Sequence, residues 1–201
     1  MSVISSYVGG LQWLIYVVMK MLSWNIRGVE KPEKKRQIKK LLFDRKINMV
    51  LLQETKLSSI SEVEVRRLWH RDRFEYMSVE AEGRAGGLLC IWNPEVFYLS
   101  ECCRNKKFIL LSGTFHKSFE CAILNIYAPN DVVKRGNLWE ILLNLKSNFS
   151  KPWCLSGDFN EIRNVAERVE YLRRDRGMKD FNEFIDRCEV TEIQMLGKKY
   201  T

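Results

Sequence analysis

The stretch WCLSGDFNEI, residues 153–162, begins as an apolar strand and stops on Gly157, Asp158, Phe159 and Asn160. In an extended chain residues i and i+2 point to the same side, so Asp158 and Asn160 are expected to look out together from one rim of a sheet. An apolar strand that finishes on an acid and an amide is either a place for chemistry or a place where the chain simply turns. The flanking sequence decides between the two.

Upstream, short apolar strands alternate with amphipathic helices. KMLSWN (20–25) reads as a strand, and Pro32 then opens a basic helix, PEKKRQIKKLLFDRK, with Ile38, Leu41 and Leu42 on one face. INMVLLQE (47–54) is an almost unbroken apolar run, the pattern of a strand covered on both faces. A second helix is expected over about residues 60–70, carrying Val63, Val65, Leu68 and Trp69. Strands follow at 86–92 (GGLLCIW), 107–115 (KFILLSGTF) and 120–129 (ECAILNIYAP), and their close spacing predicts antiparallel neighbours, the last two joined by the hairpin-sized HKS. A helix with Leu138, Ile141, Leu142 and Leu145 precedes the strand at 153–158, and a helix with Met178, Phe181, Phe184, Ile185 and Cys188 follows it. Mixed sheets with helices on their outer faces predict a layered α+β or α/β sandwich. Trp24, Trp92, Trp139 and Trp153 fall in these strands and helix faces and read as core.

At 201 residues and 46% hydrophobic, with no composition shift, the chain suits one domain. Its 33 Lys+Arg against 25 Asp+Glu leave a net charge of +8, which favours a polyanionic partner or else coats a solvated basic face. Six cysteines, without a Cys-x-x-Cys pair and mostly in apolar runs, read as reduced core residues of an intracellular protein. The apolar stretch Tyr7–Met19 lacks a basic n-region and is too short to span a bilayer comfortably, so residues 1–18 read as an extension outside a domain at 19–201, with no stable membrane association.

Four apolar strands thus end in an acid, an amide or a phenol: Asn25 after MLSW, Glu54 after MVLLQ, Asn125 and Tyr127 in AILNIYAP, and Asp158 with Asn160. Ligands collect at the carboxyl ends of strands, and this set suits phosphodiester hydrolysis with a hard cation. Glu54 is the candidate metal ligand, although one strand-end acid alone is as readily solvated. Asp158 would orient or deprotonate an attacking water, and Asn160 and Tyr127 would donate to the phosphate oxygens. Asn125 either joins the site or caps the turn at Pro129.

LSWNIRG, LLQETK, NIYAPN and LSGDFNEI, in this order, resemble the endonuclease/exonuclease/phosphatase superfamily, and within it the abasic-endonuclease-like domain of plant LINE-type non-LTR retrotransposons. The tail from Arg173 to Thr201 is similar to the same branch. The resemblance implies a DNase I-like four-layer α/β/β/α sandwich that nicks DNA with Mg²⁺ (or Mn²⁺) to prime reverse transcription, acting as a monomer in the nucleus with a reverse-transcriptase segment in the full element. It assigns Glu54 to the metal, Asn25 to its neighbourhood, Tyr127 to phosphate contact, and Asp158 and Asn160 to water activation and transition-state stabilisation. Arg173, Arg174 and Arg176, just after GDFN, would contact nucleic acid together with Asn125.

The resemblance also implies later strands and a closing Ser-Asp-His whose histidine serves as acid/base, whereas this chain ends at Thr201 and its two histidines, His70 in LWHRD and His116 in TFHKSF, stand in other contexts as surface or helix-end residues. The expectation is a domain incomplete at its C-terminus, with an unpaired edge and impaired activity. Two alternatives stay open: a noncatalytic nucleic-acid-binding remnant, and a phosphatase of the same superfamily acting on a small phosphorylated substrate.

Overall fold

Alternation of apolar runs with amphipathic helices resolves into two mixed sheets stacked face to face, each carrying helices on its outer face. The computed structural model describes residues 2–6, 19–83, 85–164 and 176–191. In chain order the elements are β1 (Ser2–Ser6), β2 (Met19–Asn25), α1 (Pro32–Asp44), β3 (Met49–Gln53), α2 (Glu62–Leu68), β4 (Glu75–Glu82), β5 (Ala85–Trp92), β6 (Phe97–Arg104), β7 (Phe108–Phe115), β8 (Phe119–Tyr127), α3 (Val132–Asn148), β9 (Trp153–Asp158) and α4 (Arg176–Arg187). The first sheet has the order β1-β2-β3-β5-β4 and the second β6-β7-β8-β9.

Three apolar layers hold the stack together. Between the sheets, Met21, Met49, Leu51, Leu88 and Trp92 meet Phe97, Ile109, Leu111, Phe115 and Ile123. Outside the first sheet, Ile38 and Leu42 of α1 and Val65 and Leu68 of α2 cover Leu22, Val50, Leu52 and Ile91. Outside the second, Leu138, Trp139 and Leu142 of α3 and Phe181, Phe184 and Ile185 of α4 cover Leu110, Leu124 and Ile126. A strand covered on both faces must be apolar throughout, and all five residues of β3 are buried. This is the expected α/β/β/α sandwich.

Helix starts follow local chemistry. Pro32 opens α1 where a missing N–H costs nothing, Ser61 accepts from the Glu64 N–H to start α2, and Asp131 accepts from the Lys134 N–H to start α3. Within the stretch read as an extension, β1 pairs antiparallel with β2, Ser2 opposite Ser23. Residues 7–18, between the two strands, lie outside the described residues.

Several expectations are corrected. β7 and β8 do form a hairpin across residues 116–118, but β5 belongs to the other sheet, antiparallel to both β3 and β4. β4 and β6, absent from the sequence reading, are edge strands whose polar residues face solvent. Ile141 of α3 is 49% exposed rather than core, because the apolar stripe of α3 runs through Leu138, Trp139 and Leu142. Cys102 is exposed on β6, although all six cysteines are free. Burial pushes the thiols of Cys90 and Cys121 up to about 12 and those of Cys154 and Cys188 up to about 11, so none of these four is a thiolate nucleophile. Among the described residues no helix is long and apolar enough to cross a membrane.

Candidate active site

Two parallel strand pairs create the site. β2 runs parallel to β3, with Asn25 opposite Gln53, and β8 runs parallel to β9, with Tyr127 opposite Asp158. Parallel strands end together, so each sheet presents two carboxyl ends to one rim, and sandwich packing sets the two rims against each other. Glu54 lies one residue beyond β3 at φ 52°, a left-handed conformation that turns the chain out of the sheet. Gly157 has φ 140°, and a Cβ there would collide with the carbonyl oxygen of Ile126, so only glycine lets β9 approach β8 this closely before Asp158.

Asp158 and Asn160 do come together, though not by strand alternation. Asn160 sits at φ 48°, and its N–H donates to Asp158 Oδ1 at 3.1 Å, a turn closed by the aspartate side chain. The Asn160 side-chain amide donates to Ala128 O at 2.7 Å, while the Ala128 N–H donates to Asp158 O at 2.8 Å. The loop after β9 is thereby laced to the loop after β8.

Asn25 joins the two sheets. Its Nδ2 donates to Glu54 Oε1 at 3.0 Å and to Asp158 Oδ2 at 2.5 Å, while its Oδ1 accepts from the Arg27 N–H at 3.1 Å and so fixes which way the amide faces. The Tyr127 hydroxyl donates to Glu54 Oε1 at 3.1 Å. Burial, aided by the negative charges of Glu54 and Asp158, pushes the Tyr127 phenol up to about 12, so it stays a neutral donor at any ordinary pH. Of the expected site residues, Asn25, Glu54, Tyr127 and Asp158 therefore share one hydrogen-bonded cluster, with Asn160 beside it. Glu54 Oε2 has no hydrogen-bond partner among the described residues.

Asn125 is corrected. It was expected to contact nucleic acid, but it is fully buried between the sheets. Its Oδ1 accepts from Gln53 Nε2 at 2.6 Å and its Nδ2 donates to Leu52 O at 3.2 Å, while Gln53 also donates to Ser23 Oγ at 3.2 Å. Asn125 shares the inward face of β8 with Tyr127, two residues on, and serves as a polar stitch under the site. Arg173 and Arg174 lie outside the described residues. Arg176 is exposed at the start of α4, 3.6 Å from Asp180. His70 is wedged against Trp69 and Phe43 at the end of α2, and His116 lies in the β7–β8 turn, at the opposite end of β8 from Tyr127.

The sequence reading missed four kinds of support. Gln53 and Ser23 hide inside apolar strands. Arg27 and Lys56 flank Glu54 on two loops at φ 48° and 59°, and Gly28, bonded through its N–H to Glu54 O at 2.6 Å, packs against the Lys56 stem. Arg135 and Glu161 form a buried ion pair, 2.7 Å apart, with side chains 7% and 1% exposed. The signal for these last was faint: a charge in the apolar register of α3, and a glutamate following GDFN.

Among the described residues no group of three or more His, Cys, Asp and Glu side chains converges. The hard oxygen groups at the rim are the carboxylates of Glu54 and Asp158, since Asn25 turns its N–H groups towards them, and Mg²⁺ or Mn²⁺ is content with one or two carboxylates because it keeps its waters. The chemistry of these carboxylates fits such an ion, and Glu54, whose Oε2 is left open, is the residue that would hold it.

No protein-family model matches the sequence. Among solved structures, the fold is similar to the AP endonuclease LMAP from Leishmania major, with TM-score 0.64 and 16% identity over 85% of this chain and 66% of that one. It is similar to an AP endonuclease from Archaeoglobus fulgidus, with TM-score 0.62 and 13% identity over 84% and 70% of the two chains. A 3' phosphatase from Neisseria, bound to a product DNA hairpin, matches with TM-score 0.63 and 16% identity over 84% and 71%. The chain spans about two thirds of the length of the first of these structures. At such identities the likeness speaks for architecture, and the chain has the DNase I-like α/β/β/α fold of these enzymes.

Proposed function

We propose that the chain is a metal-dependent phosphodiesterase of the DNA endonuclease type, derived from a retroelement. One observation carries the reading: Asn25, Glu54, Tyr127 and Asp158, from four strand ends and two sheets, share a single hydrogen-bonded cluster at an accessible rim. The retroelement origin rests on the ordered motifs LSWNIRG, LLQETK, NIYAPN and LSGDFNEI. DNA as substrate is supported by the product hairpin in the Neisseria phosphatase and by the chain's net charge of +8.

A bound Mg²⁺ or Mn²⁺, held through Glu54, would supply charge stabilisation to the phosphate oxygens. The chain's own residues do the rest. Asp158, held at both oxygens by Asn25 and Asn160, takes the proton of a water whose oxygen bonds to phosphorus as the P–O3' bond breaks. Neutral Tyr127 donates towards the phosphate or Glu54, and Asn160 offers its second amide N–H to developing negative charge. Arg27 and Lys56 hold the flanking backbone.

A second reading, a noncatalytic nucleic-acid binder, is favoured by one observation. Both of the chain's histidines lie away from the cluster, so the leaving oxygen must take its proton from solvent, and turnover by this chain alone is expected to be slow. Nicking of supercoiled plasmid by the purified chain, with Mg²⁺ or with EDTA, separates the two. Nicking that requires Mg²⁺ and is lost in Glu54→Ala supports hydrolysis. A folded chain that binds plasmid equally with and without Glu54, and never nicks it, supports the binder.

A further inference from the structure

We propose that Arg135 is a positioning residue: through one guanidinium it clamps the loop after Tyr127 to the loop that carries Asp158 and Asn160. The inference rests on the hydrolytic reading of the site, since positioning matters to the extent that Asp158 and Asn160 meet a phosphate. Arg135 stands in the first turn of α3 and is 6% exposed. Its Nη1 donates to Asn130 O at 2.6 Å and Pro129 O at 3.3 Å, both in the loop that follows Tyr127. Its Nη2 donates to Glu161 Oε2 at 2.7 Å, and Glu161 is the next residue after Asn160. The helix α4 closes over the pair, because a Cβ at Gly177 would collide with the Glu161 carboxylate.

Stability alone is a poor reason for this arrangement. Burying two charges strips both of water, and apolar residues of the same volume often serve the fold as well or better. What the pair supplies is direction. The planar guanidinium addresses three acceptors on two loops at once, which neither a lysine nor an apolar side chain can do. Both loops bear directly on the cluster: Ala128 binds Asp158 and Asn160 through its backbone, and Asn160 closes its turn on Asp158. A shift of about 1 Å in such groups is enough to cost on the order of 100-fold in rate.

The test is the double variant Arg135→Met with Glu161→Leu, which removes both charges together, compared with the wild-type chain. The expected result is an unchanged fold by circular dichroism, amide exchange at Ala128 and Asn160 at least roughly tenfold faster with the β3 and β8 amides unmoved, and kcat for Mg²⁺-dependent nicking lower by on the order of 100-fold at a KM within about twofold. Unchanged exchange at Ala128 and Asn160, or an unchanged kcat, overturns the clamp. Should the double variant not fold, Glu161→Gln, which keeps a hydrogen-bond acceptor and drops the charge, is read by the same two measurements. A wild-type chain that never nicks overturns the hydrolytic reading, and the exchange at Ala128 and Asn160 then decides the clamp by itself.

Discussion

Asn125 shows how a single buried amide can serve a site it never touches. Replacing it with leucine keeps the volume roughly but removes the 2.6 Å acceptor of Gln53 Nε2, which retains Ser23 Oγ and Leu51 O, so one buried hydrogen bond worth about 0.5–1.5 kcal/mol is lost. Asn125→Leu is therefore expected to lower the unfolding free energy obtained from urea titration by that amount, and an unchanged value would refute the stitch. His70 makes a different statement. Both of its ring nitrogens are buried without a hydrogen bond, and burial, with Arg71 and Lys39 nearby, pushes the imidazole down to about 4. The unfolded chain protonates this ring near its ordinary 6.5 while the folded chain keeps it neutral, so stability is present above pH 6.5 and is lost as pH falls towards 4. His70→Phe, which keeps a ring between Phe43 and Trp69, is expected to flatten this acid limb, as measured by urea midpoints at pH 7 and pH 5. Glu54, Tyr127 and Asp158 were legible because each stands at the polar end of an apolar run. Asn125 was misread because a strand sequence cannot say whether its inward face meets solvent or a second sheet.

At the scale of elements, legibility follows burial. Helices α1 and α4 and strands β3, β7 and β8 bury a stripe or both faces, and their apolar periods give them away. Edge strands carry no such mark: β4 reads EYMSVEAE and β6 reads FYLSECCR, with charges that suit a strand exposed at the border of its sheet. The convergence of the strand ends was legible only as an expectation, since the bond from Asn25 to Asp158 spans 133 residues of sequence. The docking of α4 depends on aromatic contacts with Trp139, on which Phe184 stacks at 4.7 Å between ring centroids while Phe181 lies tilted at 5.3 Å. Phe184→Ala is expected to cost about 3–5 kcal/mol, the usual range for a phenylalanine removed from a packed core. A loss under about 1 kcal/mol in chemical denaturation would mean that α4 contributes little to the second layer pair.

At the scale of the whole molecule, the described strands of one sheet all precede those of the other. β1 to β5, with α1 and α2, occupy residues 2–92, and β6 to β9 run from 97 to 158 with α3 among them and α4 after them. The cluster takes Asn25 and Glu54 from the first half and Tyr127 and Asp158 from the second. The turn at residues 94–96 is the boundary. A chain cut between Pro94 and Glu95 yields two polypeptides, each with all the described strands of one sheet and one of the two site carboxylates. Co-expressed, the halves are expected to co-purify through the apolar layer between Trp92, Met49 and Leu51 on one side and Phe97, Ile109 and Leu111 on the other. Halves that elute separately would show that the covalent link is essential to assembly. Chain order and site geometry together suit this fold to a split reporter, in which two fragments that each carry half of the cluster re-form the bond from Asn25 to Asp158 only when they meet.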